Sequence, residues 1–422
     1  MGKHAPQSIL IHAINYAPEM IGCAKYTSEL AHYLSTCGRR VEVVTTAPHY
    51  PGWTAHPPYR AGRYMREMLN GVEIIRCPML ICGKGAGVWR LIAPLTFAFS
   101  AAPIVIWRAL RNKPDVILCV EPTLFAAPSA LLAARLSKAR AVLHVQDLEV
   151  DAAFAVGHLK GRLVRTIARR IEALLLRRFD KIVTISEHMR EALLAKGVVA
   201  DKVKLARNWV AQDLMDAGRN RTTAKAYRDE LGIAVNKKVV LYSGHIGMKQ
   251  ALGEVLKAAR LLHGRKDVLF VIAGEGPLKD KLVASARDLS NVLLLSLQPQ
   301  TRFADFLQIA DLHVLPQDGK AADFVLPSKL GPMLASGRPV IAMADPGTEL
   351  HRLLQGAAWL TPTGDAEALA TAIDKAVDQD ASLHIAQGLF LSREWCSVNV
   401  LPFFERTLFE DDLKLVGSSS SC

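Results

Sequence analysis

Residues 238–262 of this 422-residue chain read KVVLYSGHIGMKQALGEVLKAARLL. Their first seven residues form an apolar run with β-branched and aromatic side chains, which is typical of a buried β-strand. This run ends at Gly244, Gly247 follows it, and the rest of the segment has the pattern of a helix. A buried strand, a glycine loop and a helix in this order indicate one unit of a parallel α/β sheet.

Runs of the same kind recur in two series, which a polar segment without clear periodicity at 208–223 separates. Continuous apolar strands that alternate with helices predict parallel sheets covered on both faces. We therefore predict an α/β fold with two doubly wound, Rossmann-like domains that face each other across a cleft. The predicted strands are 8–14, 41–46, 72–77, 115–120, 141–145 and 181–185 in the first series, and 238–244, 268–274, 291–296, 311–316, 339–344 and 357–362 in the second.

The domain boundaries follow from these two series, and a chain of this length has room for two or three domains. We place the first domain at 1–210 and the second at 211–385. Helical sequence beyond the last strand predicts a segment at 386–413 that packs back toward the first domain. The tail at 414–422 is predicted to be disordered.

The charge of the chain is unevenly distributed. The formal net charge is +12, and residues 1–200 hold 26 Lys and Arg against 14 Asp and Glu, so this half carries the whole excess. A basic half of this kind is expected to face an anionic partner. A hydrophobic content of 50% excludes a mostly disordered chain.

Two segments of the basic half bear on that partner. Residues 160–181 predict a helix with an apolar stripe and four arginines, Arg162, Arg165, Arg169 and Arg170, which can lie on an anionic membrane surface or form the solvent face of an ordinary helix. Residues 91–107 are uncharged, and we expect a buried or surface-docked helix there in preference to a membrane span. Basic and aromatic residues do not interleave, so no nucleic acid partner is predicted.

The loops that follow predicted strands carry the candidate binding residues. Gly244 and Gly247 let the backbone approach a ligand, and Lys249 stands at the opening of a helix, an arrangement that favours a diphosphate. His245 either touches a phosphate or packs. The spacing fits neither the P-loop nor the dinucleotide fingerprint. Gly22, after the first strand, precedes a second helix start of the same kind.

Three further strand ends carry candidates. Glu275 either accepts hydrogen bonds from ribose hydroxyls or is a solvated charge on the next helix. Asp323 leads through Pro327, Ser328 and Lys329 into a helix, which predicts a second anion or hydroxyl site. Gln146 and Asp147 lie beyond a strand of the first domain, whereas His144 lies within that strand and is expected to pack.

Metal and export signals are weak in this sequence. There is no Asp-rich cluster, and the seven cysteines form no CxxC pair, so we predict no metal, no cofactor and reduced thiols. Pro18 and Glu19 interrupt any signal peptide, which predicts a cytoplasmic protein.

The chain resembles the retaining glycosyltransferases of the GT4 family, which have the two-domain GT-B fold, over nearly its whole length. VQDL, RNWV and LPSK followed by MLASGRPV also resemble the WcaI-like branch, which is associated with bacterial exopolysaccharide such as colanic acid. The segments that carry the family resemblance are NYAPEMIGCAKYTSELAHYL (15–34), VQDL (145–148), VTISEHMREALLAKGV (183–198), ARNWV (206–210), YSGHIGMKQALGEVLKAARLL (242–262), AGEGPLKDKL (273–282) and PSKLGPMLASGRPVIA (327–342).

The resemblance implies roles for several of these residues. Gly22 matches the glycine loop against the donor diphosphate, and Gly244 with Lys249 matches the phosphate-binding strand end, where the family usually has Arg at the position of His245. Glu275 matches the segment near the nucleotide. The family's two glutamates of the E-x7-E element fall at Phe324 and Pro332, with Asp323 beside the first, and Gln146 stands where a histidine is often found.

Together these observations predict a retaining glycosyltransferase. The resemblance implies that the second domain binds a nucleotide-sugar donor, a GDP- or UDP-sugar such as GDP-fucose, and that the first domain binds the acceptor. We assign catalytic roles to Lys249, Asp323, Asp147 and Gln146, and expect a lipid-linked saccharide acceptor at the inner face of the plasma membrane. A nucleotide-sugar 2-epimerase of the same fold is the alternative.

Overall fold

A computed structural model of the chain describes residues 6–19, 22–49, 52–81, 89–148, 150–151, 161–217, 221–319 and 326–410. The contacts divide it into two compact units. One unit comprises residues up to Arg207 together with the described residues from Leu401 onward. The other comprises Asn208–Val400. The unit boundary therefore falls at 207/208, whereas the sequence pattern places it at residue 210.

The first unit is built on an eight-stranded sheet in the order β3-β4-β2-β1-β5-β6-β7-β8. All pairs are parallel except β3 with β4. The six strands predicted from apolar runs are confirmed to within a residue at each end. The strands are β1 (Ser8–Ala13), β2 (Arg40–Thr46), β3 (Met65–Leu69), β4 (Val72–Cys77), β5 (Val116–Glu121), β6 (Arg140–Val145), β7 (Lys181–Thr184) and β8 (Val203–Leu205).

The sequence pattern missed the two edge strands of the sheet, the three-residue β8 and the longer β3. The side chains of β3 are largely exposed, so this strand lacks the continuous apolar run of the buried strands. Asn70 and Gly71 join β3 to β4 with positive φ at both residues, 51° and 78°. An Asn-Gly pair of this kind is the turn that a two-residue hairpin requires, and it is the signal that predicts this strand.

Five helices and part of a sixth cover the described sheet of this unit. The long apolar helix α2 buries Ala93, Phe97, Ala101 and Val105 along one face, and the Phe97 ring lies 5.5 Å from the His12 ring on β1. This helix docks on the sheet as predicted for 91–107. Its segment Leu91–Asn112 is also long and apolar enough to cross a membrane, with a third of it buried. The helices are α1 (Cys23–Thr36), α2 (Trp89–Asn112), α3 (Ala127–Ser137), α4 (Arg162–Leu176) and α5 (Glu187–Ala195).

The second unit has a six-stranded, fully parallel sheet in the order β11-β10-β9-β12-β13-β14. All six predicted strands are confirmed, because each is a buried or half-buried apolar run. The strands are β9 (Lys238–Ser243), β10 (Val268–Ala273), β11 (Val292–Leu295), β12 (Leu312–Leu315), β13 (Val340–Met343) and β14 (Trp359–Thr361). The helices are α6 (Gln212–Ala217), α7 (Arg221–Glu230), α8 (Leu252–Leu261), α9 (Lys279–Ala286), α10 (Phe303–Gln308), α11 (Leu330–Ala335), α12 (Glu349–Leu354), α13 (Ala366–Ala376) and α14 (Ser382–Glu394).

The predicted segment at 386–413 is divided between the units. Helix α14 belongs to the second unit, and the first unit takes the last helix, α15 (Ser397–Phe409), from Leu401 onward. Phe404 is fully buried and its ring lies 4.9 Å from the ring of His144 on β6. Glu405 forms an ion pair with Arg39, 2.9 Å between Oε1 and Nη2. The prediction placed the whole segment against the first domain, whereas only α15 contributes to the first unit. Residues 414–422 lie outside the described part of the chain.

Both sheets change direction of strand order at one point. The strand order reverses between β1 and β5 in the first unit and between β9 and β12 in the second. In doubly wound sheets, ligands bind beyond the carboxyl ends of the strands at this switch point. The residues that follow β1 and β9 are therefore the first place to look for binding groups.

Candidate active site

The loop after β9 lies against the loop after β10 with unusually close backbone contact. The parallel ladder continues beyond the strands, with Gly244 N donating to Ala273 O at 3.0 Å and Ile246 N donating to Glu275 O at 2.9 Å. A methyl group on Gly274 would overlap the carbonyl oxygen of Gly244, and one on Gly276 would overlap that of Ile246. Only glycine allows this approach, which fixes the Gly244 loop at the switch point.

Lys329 places its ammonium group beside Gly244. Its Nζ donates to the Tyr242 hydroxyl at 2.6 Å and lies 4.4 Å from the centre of the Tyr242 ring. A Cβ built on Gly244 would lie 3.1 Å from this Nζ. The other two ammonium hydrogens make no hydrogen bond to the described part of the chain. This cation therefore has donors available for an anion at the strand end.

Burial changes the protonation of this site. Loss of solvent lowers the pKa of Lys329 to about 7, because an ammonium is poorly stabilised away from water. Burial and the Lys329 charge together lower the pKa of His245. The Tyr242 hydroxyl donates to the His245 carbonyl oxygen at 2.6 Å, so Tyr242 orients both Lys329 and the loop. Tyr242 carries no motif, and only its position as the penultimate residue of β9 signals this role.

The other predicted residues of this domain lie at the edges of the site. Lys249 is exposed in a short 3-10 turn, and its carbonyl oxygen accepts from Asp318 N at 3.0 Å. Gly247 precedes that turn. Glu275 is exposed and pairs with Lys279 at 2.5 Å, a contact that lowers its pKa. The sequence pattern gives Lys249 the main phosphate contact, whereas the structure brings Lys329 next to Gly244.

The segment with Asp323 is only partly described. Asp323 lies outside the described residues, so its predicted role remains a prediction. The Pro327 carbonyl oxygen accepts from Leu330 N at 3.0 Å as α11 begins, and Ser328 is exposed. Helix α11 has six residues, which is too short for an anion site at its N-terminus. The group that this segment offers to an anion is therefore the Lys329 side chain.

The first unit holds the remaining predicted residues. Gly22 caps α1 with a φ of 62°, and no described atom lies within 4 Å of a Cβ built on it. Gln146 and Asp147 follow β6, and the Gln146 amide contacts Nε2 of His144 at 3.1 Å. His144 is buried, and loss of solvent lowers its pKa to about 3. The prediction that His144 packs is confirmed.

The arginine helix is exposed on nearly all sides. In α4 only Glu172 and Leu176 are buried among the described residues. Arg169 pairs with Asp151 at 3.0 Å. The apolar stripe is also exposed, up to 73% at Leu163. The four predicted membrane-surface arginines are Arg162, Arg165, Arg169 and Arg170, and all four are exposed.

Solved structures with this architecture are glycosyltransferases. A glycosyltransferase from Rickettsia africae matches 99% of this chain and 100% of its own with a TM-score of 0.71 and 13% identity. HepE of Anabaena, solved in complex with UDP, matches 95% of this chain and 99% of its own with a TM-score of 0.67 and 16% identity. The fold is therefore that of the two-domain GT-B glycosyltransferases.

Sequence comparison identifies the family. Residues 22–209 match the glycosyl transferase 4-like domain, and residues 223–386 match the glycosyl transferases group 1 domain. The chain is 38% identical to WcaI of Escherichia coli K12, which carries the name of a colanic acid biosynthesis glycosyl transferase, over 87% of this chain and 92% of WcaI. It is 24% identical to the glycosyltransferase WbjE of Pseudomonas aeruginosa over 69% of this chain and 73% of WbjE. The chain belongs to the family of glycosyltransferases that joins a 4-like domain to a group 1 domain.

The close approach of the two loops makes a direct prediction for Gly274. Substitution Gly274→Ala is expected to lower the free energy of unfolding by about 1–3 kcal/mol. The added methyl group would overlap the Gly244 carbonyl oxygen, and backbone cannot move aside as easily as a side chain. Urea unfolding followed by circular dichroism measures this. The matched control is Gly253→Ala on α8, where nothing lies within 4 Å and a gain of about 0.5–1 kcal/mol is expected. Equal effects of the two substitutions contradict the prediction.

Proposed function

We propose that this protein is a retaining glycosyltransferase of exopolysaccharide biosynthesis, which moves a sugar from a nucleotide diphosphate donor to an oligosaccharide acceptor. The name of WcaI supports the pathway, and the UDP and UDP-glucose complexes of HepE support a nucleotide-sugar donor. The donor is a UDP- or GDP-sugar, bound by the second unit. The acceptor is a saccharide, bound by the first.

The observation that carries this proposal is the Lys329 ammonium at the carboxyl end of β9. It lies beside Gly244, at the switch point, and two of its hydrogens make no hydrogen bond to the described residues. A diphosphate brings the negative charge and the acceptor oxygens that such a group needs. Lys249 and His245 extend the same loop and add further contacts to the phosphates.

The reaction exchanges one bond at the anomeric carbon for another. The acceptor oxygen forms a bond to this carbon on the face from which the diphosphate departs, and the carbon–phosphate oxygen bond breaks. The acceptor proton passes to the departing phosphate, so the nucleoside diphosphate leaves with it. Negative charge grows on that phosphate, and a preformed cation and backbone N–H groups stabilise it without reorganisation.

A transfer assay tests the function. The full chain is incubated with a panel of UDP- and GDP-sugars and with octyl glycosides and a polyprenyl-diphosphate-linked sugar as acceptors. We expect one donor to be consumed with formation of a glycoside that retains its anomeric configuration by NMR, with and without EDTA. Inversion refutes retention, and loss of activity in EDTA refutes metal independence. Epimerised free sugar without any transfer supports the 2-epimerase instead.

The pKa of Lys329 predicts the pH dependence of nucleotide binding. The cationic form binds the diphosphate, and the pKa of Lys329 in the ligand-free protein is about 7, so its ammonium group loses a proton as pH rises through 7. Binding above pH 7 must then take up a proton, and affinity for UDP or GDP is expected to fall by up to about tenfold per pH unit. Calorimetry in buffers of different ionisation enthalpy measures the uptake.

Two variants distinguish a specific contact of Lys329 with the nucleotide from a general effect of positive charge on nucleotide binding. Lys329→Met is expected to weaken nucleotide binding by about 10- to 150-fold, the range for hydrogen bonds to charged groups, and to abolish the proton uptake. Lys257→Met, at an exposed position of α8, removes the same charge and is expected to change neither. Proton uptake that persists in Lys329→Met contradicts the assignment.

We also propose that the first unit binds an anionic membrane surface, with the protein on its cytoplasmic side. Helix α4 exposes its apolar side chains Leu163, Ile167 and Ile171 next to its arginines, whereas an ordinary surface helix buries that stripe. An amphipathic basic helix with this pattern is suited to the headgroup region of an anionic bilayer. A lipid-linked acceptor would be met at the same surface.

Vesicle flotation tests the membrane proposal. The paired change Arg162→Gln and Arg170→Gln is expected to weaken binding to phosphatidylserine vesicles about 30-fold, from about 1 kcal/mol for each basic residue near the surface. The matched change Lys281→Gln and Arg287→Gln in the second unit is expected to leave binding unchanged. Binding that does not depend on anionic lipid, or that responds equally to both pairs, refutes the proposal.

A further inference from the structure

A buried carboxylate and a buried imidazole meet at the carboxyl edge of the first sheet. Glu19 follows β1 and His49 follows β2, and these neighbouring strands bring together residues 30 positions apart. Glu19 is 5% exposed and His49 is 3% exposed. Neither is among the predicted donor residues, although Gly22, the predicted donor glycine of the first unit, lies three residues after Glu19.

The hydrogen bonds fix the imidazole in one orientation. His49 Nδ1 lies 3.1 Å from the Ala47 carbonyl oxygen and 3.5 Å from Glu19 Oε1. A carbonyl oxygen and a carboxylate only accept, so Nδ1 carries the proton in the neutral ring. The other nitrogen, Nε2, then presents a lone pair, and it makes no hydrogen bond to the described residues.

Hydrogen bonds to the Glu19 carboxylate stabilise this orientation of His49. Glu19 Oε1 accepts from the backbone N–H of His49 at 2.5 Å, and Glu19 Oε2 accepts from Asn15 Nδ2 at 2.8 Å. The carboxylate therefore ties the loop after β2 to the loop after β1. Trp53 lies edge-on to the imidazole at 5.6 Å and is partly exposed, which adds an apolar surface beside the polar nitrogen.

The charges at this position select the ligand. Burial lowers the pKa of His49, an effect that the Glu19 charge opposes and the neighbouring His56 reinforces, so the ring is neutral at neutral pH. The Nε2 lone pair and the nearby Glu19 carboxylate disfavour a phosphate, because a phosphate is negatively charged and its oxygens accept hydrogen bonds. They favour a hydroxyl group, which can donate. A neutral acceptor atom with an aromatic neighbour is a combination suited to a sugar.

We propose that His49 Nε2 accepts a hydrogen bond from a hydroxyl group of the acceptor saccharide, and that Glu19 is the positioning residue that orients the imidazole. The inference rests on the proposed transferase function and adds to it the group that recognises the acceptor. It involves no covalent step at His49, and the fate of the transferred proton is unchanged.

The test separates acceptor recognition from donor binding. In the full chain, His49→Ala is expected to raise the KM for the octyl glycoside acceptor about tenfold, the loss of one hydrogen bond to an uncharged partner. UDP or GDP affinity and the slow hydrolysis of the donor by water are expected to stay unchanged. His49→Gln, which keeps an amide oxygen able to accept, is expected to recover part of the loss. His32→Ala, at an exposed position of α1, is the matched control.

The role of Glu19 is tested by pH. Protonation of His49 removes the lone pair, so kcat/KM for the acceptor should fall at acidic pH. Glu19→Gln removes the charge that raises the pKa of His49, and this acidic limb is expected to move to lower pH. A structural role of Glu19 alone would lower the melting temperature and leave the limb in place.

The outcomes distinguish this inference from the proposed function. Wild-type protein that transfers no sugar from any donor overturns the proposed function. Wild-type transfer with an unchanged acceptor KM in His49→Ala overturns the inference alone. Transfer, hydrolysis and nucleotide affinity that all fall together in His49→Ala at an unchanged melting temperature also overturn it.

Discussion

The candidate binding groups of the second unit depend on one close contact between two peptide backbones, those that follow β9 and β10. Gly274 and Gly276 have no side chain, so the loop from Gly244 to Gly247 can extend the parallel ladder past the end of the sheet. That extension holds Gly244 open at the switch point, and the Lys329 ammonium occupies the space beside it. A side chain at Gly274 or Gly276 would displace backbone, which cannot adjust as a side chain can.

The two units have hydrogen-bonding groups of opposite character at the carboxyl edges of their sheets. The second unit presents an ammonium at its switch point, and the first unit presents a buried carboxylate behind a neutral imidazole. An anion and a hydroxyl are recognised by groups of opposite character, because phosphate oxygens only accept and a hydroxyl also donates. The proposed function accordingly assigns the diphosphate of the donor to the second unit and the hydroxyl groups of the acceptor to the first.

The strands were largely predictable, and the site was predictable only in part. Twelve apolar runs predicted strands that the structure contains, because burial on both faces leaves a continuous apolar signal. The two edge strands were missed: β8 has only three residues, and the exposed side chains of β3 give no such run, although Asn70-Gly71 marks its turn. Gly244 and Lys329 were both predicted, from separate motifs. Their proximity was not, because they lie 85 positions apart in the sequence.

The amino-acid sequence alone indicates the α/β class, the two series of strands, the glycosyltransferase family and the basic first half. These properties are local or are summed over many residues, so they can be recognised before the chain is folded. The folded structure was needed to show which lysine lies beside Gly244, which part of the C-terminal helices joins the first unit, and that Glu19 contacts His49. Each of these depends on strand order, and strand order brings together residues that the sequence keeps far apart.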